Sequence, residues 1–306
     1  MTKTFDHIKR VACIGEVMIE LVDDRQERPR LGVAGDTFNT AVYLRRALHD
    51  PDVVVSYVTA LGTDRFSKKI LDACAEHDLD TNHVELRPDR VPGIYMIETS
   101  DDGERSFSYW RAQSAARTLF QAPGRVSFAS LQDFDLVLLT GISLAILPPE
   151  IRAGLFDALD AFRARGGLVA YDSNHRPTLW ESPEIARAAN MAMWARADLA
   201  LPSVDDEFNL FGEDHEDQVI ARLNSVGADF GALKRGPLGP KRMGGADTAA
   251  IYPPVETVVD TTAAGDSFNA GVLAGLVNGS SLDAALMDGH RLSSKVIQAH
   301  GAILPD

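Results

Sequence analysis

Residues 260–271 read Asp-Thr-Thr-Ala-Ala-Gly-Asp-Ser-Phe-Asn-Ala-Gly, follow a strand-like segment and open a long helical segment rich in small residues. The first amides of a helix have no intrahelical acceptors, and the helix dipole adds partial positive charge there. Because Ala263, Ala264 and Gly265 carry little or no side chain, a phosphate can approach these amides closely. We therefore predict an anion site where this helix begins.

Asp266 follows those small residues directly. A carboxylate in this place would face the bound phosphate and could accept the proton of an attacking hydroxyl, while the amides stabilise charge on the phosphoryl group. Alternatively, Asp266 is an ordinary first-turn acid and the small residues serve close packing. Since the complete string is far more specific than Gly-Asp alone, we predict that Asp266 is a general base.

The composition excludes several other classes of protein. The chain has 306 residues and a formal net charge of −14, which argues against nucleic acid as a partner. Cys13 and Cys74 lie in apolar stretches typical of a core, and the eight histidines show no spacing typical of a transition-metal site. With no apolar run long enough for a transmembrane helix and no signal-peptide core, we expect a cytoplasmic protein without a membrane partner.

Strand-like and helical segments alternate along most of the chain. Strands are predicted at 11–17, 53–61, 136–140, 168–172, 199–202, 230–234 and 249–252. Helices are predicted at 37–48, 66–77, 149–165, 183–195, 217–226, 264–278 and 281–300. Several strands are almost wholly apolar, as strands covered on both faces are. The pattern predicts an α/β fold with a doubly wound, mainly parallel sheet and helices on both faces.

One region interrupts this alternation with β-type segments. Residues 91–99 and 105–110 flank Ser100-Asp101-Asp102-Gly103, an acidic turn typical of a hairpin. Together with residues 18–22, they could form a small β-sheet lid. We expect one domain, 1–306, with lid segments at about 16–32 and 83–112. An exposed edge of the lid sheet would favour pairing of subunits, so we predict a homo-oligomer.

Residues 14–305 resemble the ribokinase-like (PfkB) carbohydrate kinases, whose C-terminal signature reads D-T-x-G/A-A-G-D. The resemblance implies an ATP-dependent sugar kinase that uses Mg²⁺ and has an α/β domain with a β-sheet lid. It also implies that the last aspartate of the signature, here Asp266, is the base.

Residues 32–39 resemble the N-terminal signature G-G-x-x-x-N of that family, with alanine in place of the first glycine. The resemblance implies that Gly35, Asp36 and Asn39 bind sugar hydroxyls. On chemistry alone, Asp36 and Thr37 could equally cap a helix.

The stretch from Lys234 to Gly239 matches the family's nucleotide loop, K-x-G-x-x-G. Lys234, Gly236 and Gly239 are therefore expected to bind ATP, and the alternative is a basic turn. Asn174 and His290 are assigned to the same nucleotide site, although an exposed helix histidine is an equally ordinary reading of His290.

The family's N-x-x-E motif, which helps to place Mg²⁺, appears here only as Ser203-Val204-Asp205-Asp206. We expect no direct metal ligand, Mg²⁺ carried with ATP, and at most a water-mediated contact from Asp206. Ser203 is assigned to the nucleotide site, and the alternative is a helix N-cap.

Two arginines suggest which sugar is bound. Arg111 ends the lid hairpin and Arg176 follows a strand end, where parallel sheets bind ligands. A guanidinium grips a carboxylate with two charge-assisted hydrogen bonds, which a neutral hexose does not require. Taken alone, each arginine is also a common surface ion-pair residue.

Longer stretches of the chain look like bacterial 2-keto-3-deoxygluconate kinases; they are residues 15–21, 92–95, 103–105, 109–111, 141–147, 176–180 and 301–305. This resemblance implies that Tyr95, Tyr109, Arg111 and Arg176 hold the keto acid. Asp260 would help to position it near Asp266, and the product would be the 6-phosphate.

Two alternatives remain open on the sequence: a related kinase for a neutral ketose such as fructose, and a non-catalytic sugar or nucleotide sensor. A dinucleotide-dependent dehydrogenase is disfavoured, because no G-x-G-x-x-G follows the first strand.

Overall fold

The computed structural model describes residues 4–23, 29–99, 105–245 and 250–305. The strands are β1 (Arg10–Ile14), β2 (Met18–Val22), β3 (Arg30–Ala34), β4 (Val54–Leu61), β5 (Val84–Leu86), β6 (Ile94–Thr99), β7 (Arg105–Trp110), β8 (Leu136–Thr140), β9 (Leu168–Asp172), β10 (Leu199–Leu201), β11 (Gly231–Leu233) and β12 (Lys241–Met243). The helices are α1 (Asp36–Ala47), α2 (Arg65–Glu76), α3 (Gly141–Ala145), α4 (Pro149–Ala164), α5 (Pro183–Trp194), α6 (Val204–Phe211), α7 (Glu216–Ser225), α8 (Ala264–Val277) and α9 (Leu282–Val296). In this part of the chain, no helix has the length and apolar content that crossing a bilayer requires.

The central sheet has the strand order β12-β11-β10-β9-β8-β1-β4-β5. Its neighbours pair in parallel, except β11 and β12, which are antiparallel. This arrangement confirms the predicted α/β fold with a mainly parallel sheet. Because the chain starts at β1 in the middle and builds outward in both directions, the strand order reverses between β1 and β8. We call this place the switch point of the sheet. Ligands of open α/β sheets bind at the carboxyl ends of the strands at such a point.

Alternate residues of the strands face opposite layers of helices. In β1, Val11 and Cys13 belong to the apolar cluster that includes α1, α8 and α9, whereas Ala12 and Ile14 belong to the cluster that includes α4 and α5. Both cysteines are buried and unpaired, as predicted. Burial on both faces explains why these strands are apolar at nearly every position.

A second sheet has the strand order β3-β2-β6-β7. β2 pairs with β3 and β6 with β7 in antiparallel fashion, while β2 and β6 run parallel. Its strands β2, β6 and β7 lie within the predicted lid segments, and β3 adds a strand that the sequence did not predict. β5, which lies at the start of the predicted lid segment 83–112, instead pairs with β4 in the central sheet. The predicted turn at residues 100–103 lies outside the described residues.

The predicted strand at 249–252 is wrong for residues 250–252, which are not in a strand. The edge of the sheet is instead formed by β12, which returns antiparallel to β11. Residues 253 and 254 are both prolines, and proline cannot donate to a strand ladder. The helix predicted at 281–300 ends at Val296.

Close packing of α8 against α9 positions the start of α8. A Cβ on Gly271 would lie 2.6 Å from the Cα of Gly289, so the two backbones are nearly in contact. α8 is apolar around most of its circumference and buried from Ser267 to Val277. The small residues of its second half therefore serve packing, while its first turn lies against α1, where Asn39 donates to the Asp266 carboxylate.

Candidate active site

In the described part of the chain, two amides in the first turn of α8 have no acceptor. Among the described residues, the amides of Gly265 and Asp266 donate to no protein acceptor, whereas the amide of Ala264 donates to the carbonyl of Thr261 at 3.2 Å. Fewer amides are therefore available to an anion than the four predicted at residues 263–266, because the amide of Ala264 is already hydrogen-bonded. A Cβ on Gly265 would lie 3.6 Å from Lys234 Nζ. Because glycine has no Cβ, an anion can approach the Gly265 amide next to the Lys234 ammonium.

Ala263 caps α8 in a left-handed conformation, with φ 60° and ψ 16°. An L-residue with a Cβ pays about 1–2 kcal/mol for this conformation, and glycine does not. We expect Ala263→Gly to raise the free energy of unfolding by about 1 kcal/mol, measured by chemical denaturation. Ala264→Gly is the matched control: its residue is helical, so the same change should be destabilising. Equal effects at the two positions would contradict this prediction.

The Asp266 carboxylate accepts a hydrogen bond from Asn39 Nδ2 at 2.8 Å, and Thr40 Oγ1 donates to the backbone carbonyl of Asp266 at 3.2 Å. These contacts tie α1 to α8. Burial raises the pKa of Asp266 to about 8, and the charge of Asp36 adds to this effect, whereas the bond from Asn39 lowers the pKa. Asp266 is thus poised to take a proton near neutral pH, as a general base requires.

The raised pKa predicts the pH dependence of catalysis. Only the deprotonated carboxylate accepts a proton, so kcat/KM for the sugar should rise about tenfold per pH unit and level off above about 8. Because the Asn39 bond lowers the pKa of Asp266, Asn39→Ala should move this limb to higher pH. Initial rates between pH 5.5 and 9.5 test the prediction, and a kcat/KM that does not change with pH across this range would contradict it.

Asp36 is not a helix cap. Gly35 precedes the first turn of α1, and Asp36 Oδ2 instead accepts from Thr140 Oγ1 at 2.6 Å and Asn174 Nδ2 at 2.8 Å. Gly35 is required by space, since a Cβ would lie 2.3 Å from the carbonyl oxygen of Glu16. The structure thus places Asn174, predicted at the nucleotide, against a residue predicted at the sugar.

Lys234 is held by two residues that the sequence did not identify. Its Nζ lies 2.7 Å from Asp172 Oδ2 and 3.4 Å from Asn269 Oδ1, and Asn269 Nδ2 donates to the same Asp172 oxygen at 2.5 Å. Asp172 is 2% exposed. It is the last residue of β9, and its place at a carboxyl strand end is the signal that could have found it.

The lid contributes the predicted Tyr95, Tyr109 and Arg111. Arg111 Nε donates to Glu16 Oε2 at 2.9 Å, and the Tyr95 hydroxyl donates to Glu20. The rings of Tyr95 and Tyr109 stack with centroids 5.9 Å apart, and the Arg111 guanidinium lies 5.9 Å from the centroid of Tyr109. Both glutamates were missed by the sequence analysis.

Arg176 lies in the loop after β9 and is half-exposed. Its Nη1 donates to the carbonyl of His175 at 2.8 Å and lies 3.8 Å from Asp206 Oδ1. Asp206 also accepts from Ser173 Oγ at 3.2 Å, and burial raises its pKa. In the described part of the chain, no group of three or more His, Cys, Asp or Glu side chains could hold a metal ion.

Ser203 and Asp260 both take part in backbone contacts. Ser203 stands before α6, but its side chain makes no capping bond, and its amide donates to Ser173 Oγ at 2.9 Å. Asp260 is buried and accepts from the amides of Thr262 at 2.9 Å and Gly301 at 2.8 Å. Asp260 therefore anchors the loop that leads into α8.

The predicted nucleotide loop forms a tight turn, with φ 53° at Gly236 and 73° at Gly239. Beside it lies a cleft of about 360 Å³; its lining is Arg235, Leu238, Pro240, Lys241, Arg242, Ala250 and Tyr252. His290 borders Tyr252 with ring centroids 5.2 Å apart, and its Nε2 lies 2.8 Å from the carbonyl oxygen of Pro253. The loop and His290 thus meet around Tyr252.

Comparison with known proteins gives a consistent result. The model of the family described as pfkB family carbohydrate kinase matches residues 8–306. The chain is 42% identical over 302 residues to the 2-dehydro-3-deoxygluconokinase of Escherichia coli strain K12, and 43% identical over 302 residues to that of Dickeya dadantii strain 3937. Each match covers 97% of both chains. The crystal structure of a PfkB protein from Polaromonas sp. JS666 superposes with a TM-score of 0.81 at 28% identity, covering 95% of this chain and 96% of that one.

Proposed function

The chain belongs to the pfkB family of carbohydrate kinases, and we propose that it transfers the γ-phosphate of ATP to the terminal hydroxyl of 2-keto-3-deoxygluconate, giving the 6-phosphate. One observation carries the proposal: the carboxylate of Asp266, whose pKa is raised by burial, directly follows a glycine whose amide has no acceptor among the described residues. A base and an oxyanion donor are thus adjacent in one helical turn.

In this reaction Asp266 takes the proton of the terminal hydroxyl as that oxygen forms a bond to the γ-phosphorus. The bond from phosphorus to the bridging oxygen breaks, and ADP leaves with the electron pair. The amides of Gly265 and Asp266 stabilise the negative charge on the phosphoryl oxygens. The left-handed turn at Ala263 and the anchored Asp260 hold these amides in place.

The sugar acid is placed with its carboxylate toward Arg111 and Arg176. Asp36, Asn39 and the backbone of Gly35 hold hydroxyls, and the absence of a Cβ lets Gly35 pack against the carbonyl oxygen of Glu16. The remaining contacts come from the lid tyrosines, Tyr95 and Tyr109. Closure of the lid sheet over the sugar would exclude water and limit hydrolysis of ATP.

ATP is placed on the loop of Gly236 and Gly239, with Lys234 toward its phosphates and His290 toward the base. Ser203, which forms a parallel bridge with Lys234, and Asn174 are assigned to the same site, although Asn174 contacts Asp36. Mg²⁺ would arrive with ATP and neutralise phosphate charge, and Asp206, with one oxygen 3.2 Å from Ser173 Oγ, is the carboxylate that could reach it through water.

We further propose that the enzyme acts in the cytoplasm as a homo-oligomer. The argument for assembly is the edge strand β7, where Phe107 and Trp110 are 44% and 59% exposed. Sedimentation velocity would test it, and a monomer at micromolar concentration would contradict it.

The test of the proposed function is ADP release with Mg·ATP and a panel of acceptors: 2-keto-3-deoxygluconate, 2-keto-3-deoxygalactonate, gluconate, fructose and ribose. We expect turnover confined to the keto-deoxy acids: fructose and ribose lack the carboxylate, and gluconate, which has a carboxylate and a terminal hydroxyl, lacks the 2-keto group. A wide preference for fructose or ribose would agree with the kinase family but would contradict the proposed contact of Arg111 and Arg176 with a substrate carboxylate. Binding of ATP without turnover on any acceptor would indicate a sensor.

A further inference from the structure

Glu16 and Arg111 form a buried ion pair at the base of the lid. The side chains are 0% and 9% exposed, and Arg111 Nε and Nη2 both donate to the same oxygen, Glu16 Oε2. Glu16 follows β1 by two residues, and Arg111 follows β7 directly. The pair therefore joins the switch point of the main sheet to the edge strand of the lid.

The second carboxylate oxygen of Glu16 has no hydrogen-bond partner in the described part of the chain, although it is buried. A Cβ on Gly93 would lie 2.7 Å from this oxygen and 3.1 Å from Arg111 Cβ, so Gly93 is what allows the pair to pack. Burying a carboxylate with one oxygen unsatisfied costs free energy that a well-packed apolar pair would not. Stability alone therefore does not explain the pair.

The geometry of the pair determines which donors of Arg111 remain available. Glu16 occupies the edge formed by Nε and Nη2, whereas Nη1 makes no hydrogen bond to the described residues and is not among the buried unsatisfied atoms. Nη1 is thus the accessible end of the guanidinium. A carboxylate approaching Arg111 must bind at this end.

From this geometry we infer that Glu16 is a positioning residue, which fixes the Arg111 guanidinium so that its Nη1 end faces the carboxylate of the sugar acid. The inference rests on the proposed function. In this role Glu16 would contact neither the transferred phosphoryl group nor the sugar. It acts through Arg111 by holding the guanidinium in place before the sugar acid binds. The arginine side chain then loses less conformational entropy on binding.

The test is a double-mutant cycle with Glu16→Gln and Arg111→Gln, measured on Mg·ATP and 2-keto-3-deoxygluconate. Glu16→Gln should raise KM for the keto acid about tenfold while kcat stays within about twofold and KM for ATP is unchanged. Arg111→Gln should raise the same KM about a hundredfold. The double variant should be no worse than Arg111→Gln, because Glu16 acts only through Arg111.

Three results of this cycle would overturn the inference. Additive effects would show that Glu16 acts independently of Arg111, and a lower KM in Glu16→Gln would show that Glu16 competes with the substrate. A wild-type KM in Arg111→Gln would show that Arg111 does not contact the substrate carboxylate. The panel of acceptors distinguishes this failure from a failure of the kinase assignment.

A matched control separates positioning from folding. Arg152 and Glu181 form another arginine–carboxylate pair, 2.7 Å apart, and Arg152 is 4% exposed. Glu181→Gln should leave both KM values unchanged, and an equal rise in KM there would overturn the inference. If Glu16→Gln loses its native circular dichroism, Glu16→Asp replaces it: the charge is kept, the guanidinium is displaced, and the same rise in KM is expected.

Discussion

Asp266→Asn is expected to lower kcat by about 10²–10⁴-fold and to leave KM for both substrates within a few-fold of wild type. Asparagine has the shape of aspartate and can still accept from Asn39, so the contact between α1 and α8 is kept. It cannot accept the hydroxyl proton. The loss therefore falls on the chemical step, and steady-state kinetics at pH 8.5 measure it.

The matched control is Glu184→Gln, which neutralises a first-turn acid of α5 on the protein surface. Its kcat should equal that of the wild type. A fully active Asp266→Asn variant would remove Asp266 as the base. If kcat fell by the same factor in Glu184→Gln, the effect of Asp266→Asn would come from the loss of a negative charge in the first turn of a helix rather than from the loss of proton transfer.

Lys234→Met should lower kcat by about 10²–10³-fold, for two reasons that act together. The Lys234 ammonium, which lies next to Gly265, would no longer offset the charge of a phosphate bound there. In addition, the buried Asp172 would lose its cation. Because Asp172 raises the pKa of Asp266 and Lys234 lowers it, the pH limb of kcat/KM should also move upward.

Combining Lys234→Met with Asp172→Asn separates the two effects. The double variant has no uncompensated carboxylate, so its pH limb should return toward that of the wild type while kcat stays low. Lys68→Met, which breaks an exposed pair with Asp72 on α2, is the control for losing a lysine. A Lys234→Met enzyme with wild-type kcat and pH profile would contradict the role of Lys234.

The fold was predictable where burial controls the sequence. The strands that became β1, β4, β8 and β9 are apolar because helices cover both faces, and their predicted positions are confirmed within a few residues. β5 and β12 have three residues each, too few to show a periodicity. β3 was missed because only its pairing with β2, in the lid, gives the segment its structure.

The candidate site was predictable where it is local in sequence. The first turn of α8 brings Ala263, Gly265 and Asp266 together within four residues, so their chemistry could be read directly. Glu16 and Asp172 could not be identified in this way, because their partners Arg111 and Lys234 lie 95 and 62 residues away. Only the fold makes these residues neighbours.

The position of the transferred phosphoryl group in the product tests the central claim most directly. We would incubate the wild-type enzyme with Mg·ATP and 2-keto-3-deoxygluconate and record the proton-coupled ³¹P NMR spectrum of the purified product. In the proposed orientation, which has the carboxylate at Arg111 and Arg176 and the terminal hydroxyl at Asp266, the phosphorus should couple to the two protons of a terminal methylene group. A phosphoryl group on a secondary oxygen, coupled to one proton, would contradict the proposed orientation, and inorganic phosphate alone would contradict a sugar kinase.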